Sequence, residues 1–276
     1  MTRRTPLCAL LALAASLLTP GCPPSGGGGT GGGGGQDALD QALARKKLIV
    51  AMDVGYDPFE VVLPDGSFGG FDVDLCREVA ADLGVELELK NVAWTGIVSE
   101  LQTGKVDAIF SGMSITAERE KTVDFSRPYY SVGQVVVKRK GDVRIGSWQD
   151  LNKQGMVVAT QQGTTGEQAI KDFMPQAEVK RFDKIDLGCV DLAQKRADAV
   201  VFDHPFCMKY VAGHPELEGI WQPFTEEKIA AALRQDSPKL REAIDRTIQR
   251  LESGGRMAEL ERKHFPPRPE APVPGK

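Results

Sequence analysis

Reactive and metal-holding side chains are in short supply. The 276 residues hold five cysteines and three histidines. There is no Cys-x-x-Cys, and His204, His214 and His264 are scattered, so a structural metal is not expected, and no motif calls for a cofactor. Long hydrophobic runs are missing as well. The apolar stretch from Leu7 to Leu18 is too short to span a bilayer as a helix, and no kinase-like region is present. Nor is there an excess of basic charge: 34 Lys and Arg stand against 38 Asp and Glu, for a net charge of −4. That balance argues against nucleic acid or an acidic membrane surface as the partner.

The ends of the chain read as something other than fold. Arg3-Arg4 is a basic start, Leu7 to Leu18 the apolar centre of a signal sequence, and Leu18-Thr19-Pro20-Gly21-Cys22 resembles a bacterial lipoprotein signal, in which a small residue precedes an acylated cysteine. Thr19 and Pro20 depart from that pattern, and an ordinary secretory signal is the alternative. The expectation is a signal peptide over 1–21, a lipid on Cys22, a Gly-rich tether over 22–45 and a disordered Pro-rich tail over 267–276. Cys8 goes with the signal. Cys76 sits at an apolar helical position and is expected in the core. Cys189 and Cys207 could pair in an oxidising compartment or stay free.

Between these ends the pattern is regular. Leu48 to Met52 reads as a strand that ends at Asp53, followed by the turn-rich Gly55-Tyr56-Asp57-Pro58-Phe59. Val61 to Phe68 reads as a hairpin turning at Asp65-Gly66. Gly70-Phe71-Asp72 opens a helix, with Asp72 as the expected cap and Gly84 as its end. A strand over Val85 to Val92, a helix entered through Trp94-Thr95-Gly96 and a strand over Val106 to Phe110 complete a β-α-β-α-β order, the pattern of a parallel sheet with helical crossovers. Ligands in such sheets collect beyond the carboxyl ends of the strands. Asp53, Tyr56, Trp94, Ser111, Gly112 and Ser114 all fall there.

The stretch Lys105 to Tyr130 carries the sharpest chemistry. Thr116 is placed to cap a helix starting at Ala117, and Arg119 lies in its first turn, so hydroxyls, free N–H groups and a guanidinium gather into a receptor for a carboxylate or phosphate. The bland alternative is an Arg119–Glu pair on a solvated face. The pattern then restarts. Gln134 to Lys138 and Met156 to Ala159 read as strands, and Gln161 to Gly166, with Thr164 and Thr165, opens another helix. Val179 to Phe182 is a strand, Leu187 to Gln194 a helix, and Ala199 to Phe202 a strand ending at Asp203. Two such halves facing each other would set an anion receptor opposite a carboxylate, which suits a zwitterion. Ile229 to Leu233 reads as a strand, Ser237-Pro238 starts a long helix, and a last helix spans Arg256 to His264.

Several motifs, in order, resemble one family: Asp57-Pro58-Phe59-Glu60, Gly70 to Leu75, Ser111 to Arg119, Val123 to Ser126, Pro128-Tyr129-Tyr130, Gly163-Thr164-Thr165 and Ala197 to Asp203. The chain is similar over about residues 46 to 266 to the bacterial extracellular solute-binding proteins that feed polar amino acids to ATP-driven importers. The resemblance implies a two-lobed α/β fold of type II, each lobe a central, mostly parallel sheet with flanking helices. It implies lobe 1 over 46–130 and 229–266, lobe 2 over 131–228, and crossings near Tyr129 to Gly133 and Phe224 to Lys228. It further implies that Arg119, Ser114 and backbone at Gly112 and Thr165 hold an α-carboxylate. Asp203, with Ser111 or Gly112, would take the α-ammonium, Tyr56 and Trp94 would wall the side chain, and Asp53 and Gln161 would read its end. The implied partners are a small amino acid, a membrane-embedded ABC permease and the membrane through the lipid, with a monomeric chain outside the cytoplasm. Cyclohexadienyl dehydratases look similar to this fold and supply the competing enzymatic expectation, and a ligand sensor is the third. The run Lys228 to Arg234 departs from the small residues of many relatives at the second crossing.

Overall fold

The computed structural model describes residues 36–265. The expected signal peptide, Cys22, the glycine-rich part of the tether and the tail lie outside the described residues. In chain order the first elements are α1 (Ala38–Arg45), β1 (Lys47–Met52), β2 (Val61–Val62), β3 (Phe68–Gly69), α2 (Phe71–Leu83), β4 (Glu86–Asn91), α3 (Trp94–Gln102), β5 (Ala108–Ile109) and β6 (Asp124–Phe125). Next come β7 (Tyr130–Val132), β8 (Gln134–Arg139), β9 (Val157–Gln161), α4 (Thr165–Phe173), β10 (Glu178–Phe182), α5 (Ile185–Ala193), β11 (Ala199–Asp203), α6 (His204–Ala212) and β12 (Leu217–Ile220). The chain returns through β13 (Glu227–Ile229) to β14 (Ala232–Leu233), α7 (Pro238–Ser253) and α8 (Arg256–His264). No described helix is long and apolar enough to cross a membrane.

Two five-stranded sheets form the frame, in the orders β4-β1-β5-β14-β6 and β10-β9-β11-β8-β12. In the first, β1 pairs in parallel with β4 and β5, while β14 returns antiparallel between β5 and β6. In the second, β9 pairs in parallel with β10 and β11, and β8 runs antiparallel to β11 and β12. Each sheet thus carries antiparallel strands at one side, where the chain crosses between lobes. The crossings pair with each other: β7 and β13 form an antiparallel ribbon in which Tyr130 faces Ile229 and Val132 faces Glu227.

Burial explains the strands. Val50, Ala51 and Met52 of β1 are fully buried because helices cover both faces of the first sheet: Leu75 of α2 and Leu240 and Ile244 of α7 on one, Ile97 and Leu101 of α3 on the other. The second sheet is likewise covered by Ile185, Cys189 and Leu192 of α5 on one face and by Ile170 near α4's centre on the other.

Four expectations are corrected. The tether does not reach residue 45: Asp37 caps α1 through Leu39 N–H at 2.8 Å, Ala38 and Ala42 are fully buried, and the Asp37 carboxylate also takes the Lys239 N–H at 2.8 Å. Thr116 opens no α-helix. Residues Arg119–Lys121 make a single 3-10 turn before β6 begins, although the Thr116 hydroxyl still accepts the Arg119 N–H at 3.2 Å. The cap position of α2 is Gly70, and Asp72 lies inside the helix, fully buried. Ile229 to Leu233 is not one strand, because Ile229 belongs to the crossing ribbon while Ala232 pairs with Ile109 and Phe125. Cys76, Cys189 and Cys207 are all buried free thiols.

Candidate functional site

Strand ends from both sheets meet in one cleft. Asp53, Tyr56, Trp94, Ser111, Gly112, Ser114 and Arg119 line it from the first lobe, and Gln161, Thr164, Thr165 and Asp203 from the second. Every cleft residue expected from the sequence is therefore brought to one place, and Phe202 joins them. Together they bound about 340 Å³ of space, its open mouth included.

The floor is built by β1 and β5. The Asp53 N–H donates to the Ser111 hydroxyl at 2.9 Å, and that hydroxyl donates to buried Glu60. Gly112 follows at φ +50, a left-handed conformation that glycine adopts freely. A Cβ there would lie 2.3 Å from Tyr56 Cε1, so the absence of a side chain is what lets the tyrosine ring lie on this turn. The Gly112 N–H donates to Asp72 at 2.7 Å, and the Tyr129 hydroxyl donates to the same oxygen at 3.0 Å. Burial pushes Asp72 up to about 7, against the pull of those two bonds. Burial and then Asp72 push Glu60 well above the usual carboxylate range.

Arg119 is fixed by three contacts. Nη1 donates to the Ser114 carbonyl at 2.8 Å, Nη2 to the Gly163 carbonyl at 3.4 Å, and the guanidinium lies 5.1 Å from the centre of the Trp94 ring. The Trp94 indole N–H also donates to Gly163, at 3.0 Å. A guanidinium has five N–H donors, and two carbonyls leave capacity for an anion. Across the cleft, Thr164 caps α4 by accepting the Glu167 N–H, and α4 begins with N–H groups that lack intrahelical acceptors. A helix start and a guanidinium thus converge from opposite lobes.

At the other end stands Asp203, 5% exposed, at the last position of β11. It accepts the Tyr56 hydroxyl on one oxygen and the Gln134 amide on the other. Burial pushes it up to about 7, and the nearby Glu227 carboxylate adds to the rise. Tyr56 is braced by Phe59, stacked at 4.8 Å, and by the edge of Phe202 at 5.5 Å. The Asp53 carboxylate accepts the Gln161 amide at 2.8 Å and pairs with Lys184.

Three of these partners were not foreseen. Gln134 donates to Asp203 and, at 2.9 Å, to Glu227. Glu227 also accepts the Ser114 hydroxyl at 2.7 Å and the Thr225 hydroxyl at 2.9 Å, so a carboxylate in the second crossing touches both lobes. A polar residue opening the apolar run Gln134 to Val137 was a usable signal for the first. Glu227 sits in an acidic surface-like segment and Lys184 in an ordinary loop, and neither carries a local mark. Among the described residues no group of three His, Cys, Asp or Glu side chains is arranged to hold a metal ion.

Comparison with known proteins agrees with this architecture. The family model described as bacterial extracellular solute-binding proteins, family 3, matches residues 48–267. The arginine-binding extracellular protein ArtP of Bacillus subtilis (strain 168) is 32% identical over 228 residues, covering 80% of this chain and 87% of that one. Among solved structures, an ancestral amino acid-binding protein described as a precursor of cyclohexadienyl dehydratase superposes with a TM-score of 0.79 at 36% identity, covering 84% of this chain and all (100%) of that one. A mutant of ArgBP from T. maritima superposes at 0.78 with 38% identity, covering 82% and 98%.

Proposed function

The chain belongs to the bacterial extracellular solute-binding proteins, family 3, and from that premise we propose that it captures a polar amino acid between its lobes and presents it to the permease of an ABC importer. Lobe 1 (46–130 and 229–266) and lobe 2 (131–228) would close on the ligand by bending at the two crossings. Arg119, Ser114 and the start of α4 at Thr165 receive the α-carboxylate, Asp203 the α-ammonium, Tyr56 and Trp94 flank the side chain, and Asp53 and Gln161 meet its end. The observation that carries this reading is the convergence of Arg119 and Asp203, from opposite lobes, on one cleft. A thermal-shift screen against the common amino acids tests it, since a ligand bound only by the folded state raises the midpoint. No amino acid raising it would sink the proposal. We assign no catalytic step. The likeness to a dehydratase precursor makes prephenate the right control, and its turnover by purified protein would reverse that assignment.

The site carries a pH signature. Asp203, raised to about 7, must be ionised to take an ammonium. Affinity should therefore level off about one unit above pH 7, where the ligand still carries its ammonium, and fall as pH drops through 7, by up to tenfold per unit, because ligand and proton compete for one carboxylate. Glu227→Gln removes the second-largest cause of the rise. Calorimetry should show the plateau of that variant extending to lower pH; a wild-type affinity that does not fall below pH 7 would remove Asp203 from the ammonium site.

We further propose that the protein works outside the cytoplasmic membrane as a single chain held by a lipid on Cys22. Cys22→Ser should release it to the soluble envelope fraction. Unacylated, soluble wild-type protein by mass spectrometry would instead mean ordinary secretion.

A further inference from the structure

The carboxylate at the side-chain end of the cleft is already paired. Lys184 lies in the turn between β10 and α5 and reaches across to the first lobe, where its ammonium donates to the Asp53 carboxylate and to the Val54 carbonyl at 2.8 Å. The Asp53 side chain is 6% exposed and lines the cleft, while the Lys184 side chain is 36% exposed and does not. Gln161 Nε2 donates to the other Asp53 oxygen at 2.8 Å and to the Asp183 carbonyl at 3.0 Å, which leaves the side-chain Oε1 of Gln161 as an acceptor.

At the side-chain end the cleft's own charges are already matched. Arg119 answers an α-carboxylate, Asp203 an α-ammonium, and Asp53 has Lys184. Glu227, held by Ser114, Gln134 and Thr225, lies between Arg119 and Asp203, away from Asp53 and Lys184, and leaves one carboxylate over at the α-group end. A cation at the end of the ligand side chain would meet a carboxylate whose charge is offset and an ammonium a few ångströms beyond it, and a desolvated charge without a partner is costly. An uncharged N–H donor meets acceptors on Asp53 and Gln161 at no such cost. We propose that Lys184, by pairing with Asp53, is a specificity-determining residue that sets the cleft for amino acids ending in a carboxamide or ureido group and against those ending in a cation.

This inference rests on the amino-acid-binding function proposed above. Citrulline and arginine have nearly the same shape and differ in side-chain charge, which makes them the probe pair, with glutamine as the carboxamide. Calorimetry on the full chain should show citrulline or glutamine bound at least about tenfold tighter than arginine. Lys184→Met should shift the citrulline-to-arginine ratio toward arginine by about tenfold or more, and Lys184→Arg should preserve the wild-type ratio. A ratio of affinities is not moved by a loss of stability alone, and thermal midpoints of the variants confirm folding. Wild type preferring arginine, a ratio unchanged in Lys184→Met, or binding confined to acidic or apolar amino acids overturns the role of Lys184. Binding of no amino acid at all strikes the proposed function itself, and this inference with it.

Discussion

Arg119→Ala should weaken binding of the amino acid by roughly 2–5 kcal/mol, because it leaves a desolvated carboxylate unpaired between the lobes. Asp203→Ala should do the same at the ammonium end. Arg119→Ala should disturb folding little, since its hydrogen bonds go to two carbonyls, whereas Asp203→Ala also takes the acceptor from the Tyr56 hydroxyl and the Gln134 amide, so its thermal midpoint is measured beside its affinity. The decisive form of the experiment crosses the variants with altered ligands. An amidated amino acid should bind wild type poorly yet lose little more in Arg119→Ala, and an N-acetylated one should behave likewise toward Asp203→Ala. Such non-additivity is the mark of two groups acting on each other. Should Arg119→Ala bind the parent ligand as tightly as wild type, the carboxylate assignment fails. Should only Asp203 prove dispensable, the ligand is not gripped as an α-amino acid, and a carboxylate receptor or the dehydratase gains ground.

Gly70→Ala should destabilise the fold by about 4 kcal/mol, the combined effect of a glycine-only backbone conformation and a direct backbone clash. Gly70 sits at φ +124, and a Cβ on it would lie 2.2 Å from the Phe59 carbonyl oxygen. That oxygen accepts the Asp72 N–H at 3.0 Å. Displacing it tilts the first turn of α2, and with it the carboxylate that holds Gly112 and Tyr129. Chemical denaturation should show the loss of stability, and the ligand affinity of the folded fraction should drop as well. A midpoint within a few tenths of a molar of wild type would show that the loop gives way freely and that Asp72 is not tightly held.

The residues of the cleft were legible because they sit where a local pattern ends. Asp53 follows an apolar run, Ser111-Gly112 interrupts one, Thr164-Thr165 opens a helix and Asp203 closes a strand, so each could be found without knowing its neighbours in space. What surrounds them was not. Lys184 and Asp53 are 131 positions apart, and nothing near either announces the other. Asp72 has the spacing of a helix cap, and only the fold reveals that Gly70 takes that place and that the carboxylate faces the floor of the cleft. Around Arg119 the residues suited a helix, yet β6 starts within a few positions and limits it to one turn. The helix α1 was hidden by the glycine-rich stretch before it; its burial comes from docking against Ser237 and Lys239, two hundred positions away in order of magnitude.

The ribbon of β7 and β13 has a mechanical meaning. At one end the Tyr129 hydroxyl is clamped to Asp72, and the Tyr130 ring stacks on Phe265 at 4.2 Å. At the other, the Gln134 N–H donates to the Thr225 hydroxyl at 2.8 Å and the Phe224 N–H to the Gln134 carbonyl at 3.0 Å. Flexing is left to the few residues between these clamps, so the ribbon forms a short hinge held at both ends. Its inner clamp, Asp72, also carries the Gly112 N–H. Gly112, at the floor of the cleft, and Tyr129, at the start of the ribbon, thus share one carboxylate oxygen, so a ligand that draws on Gly112 would act on the hinge through a single intervening side chain.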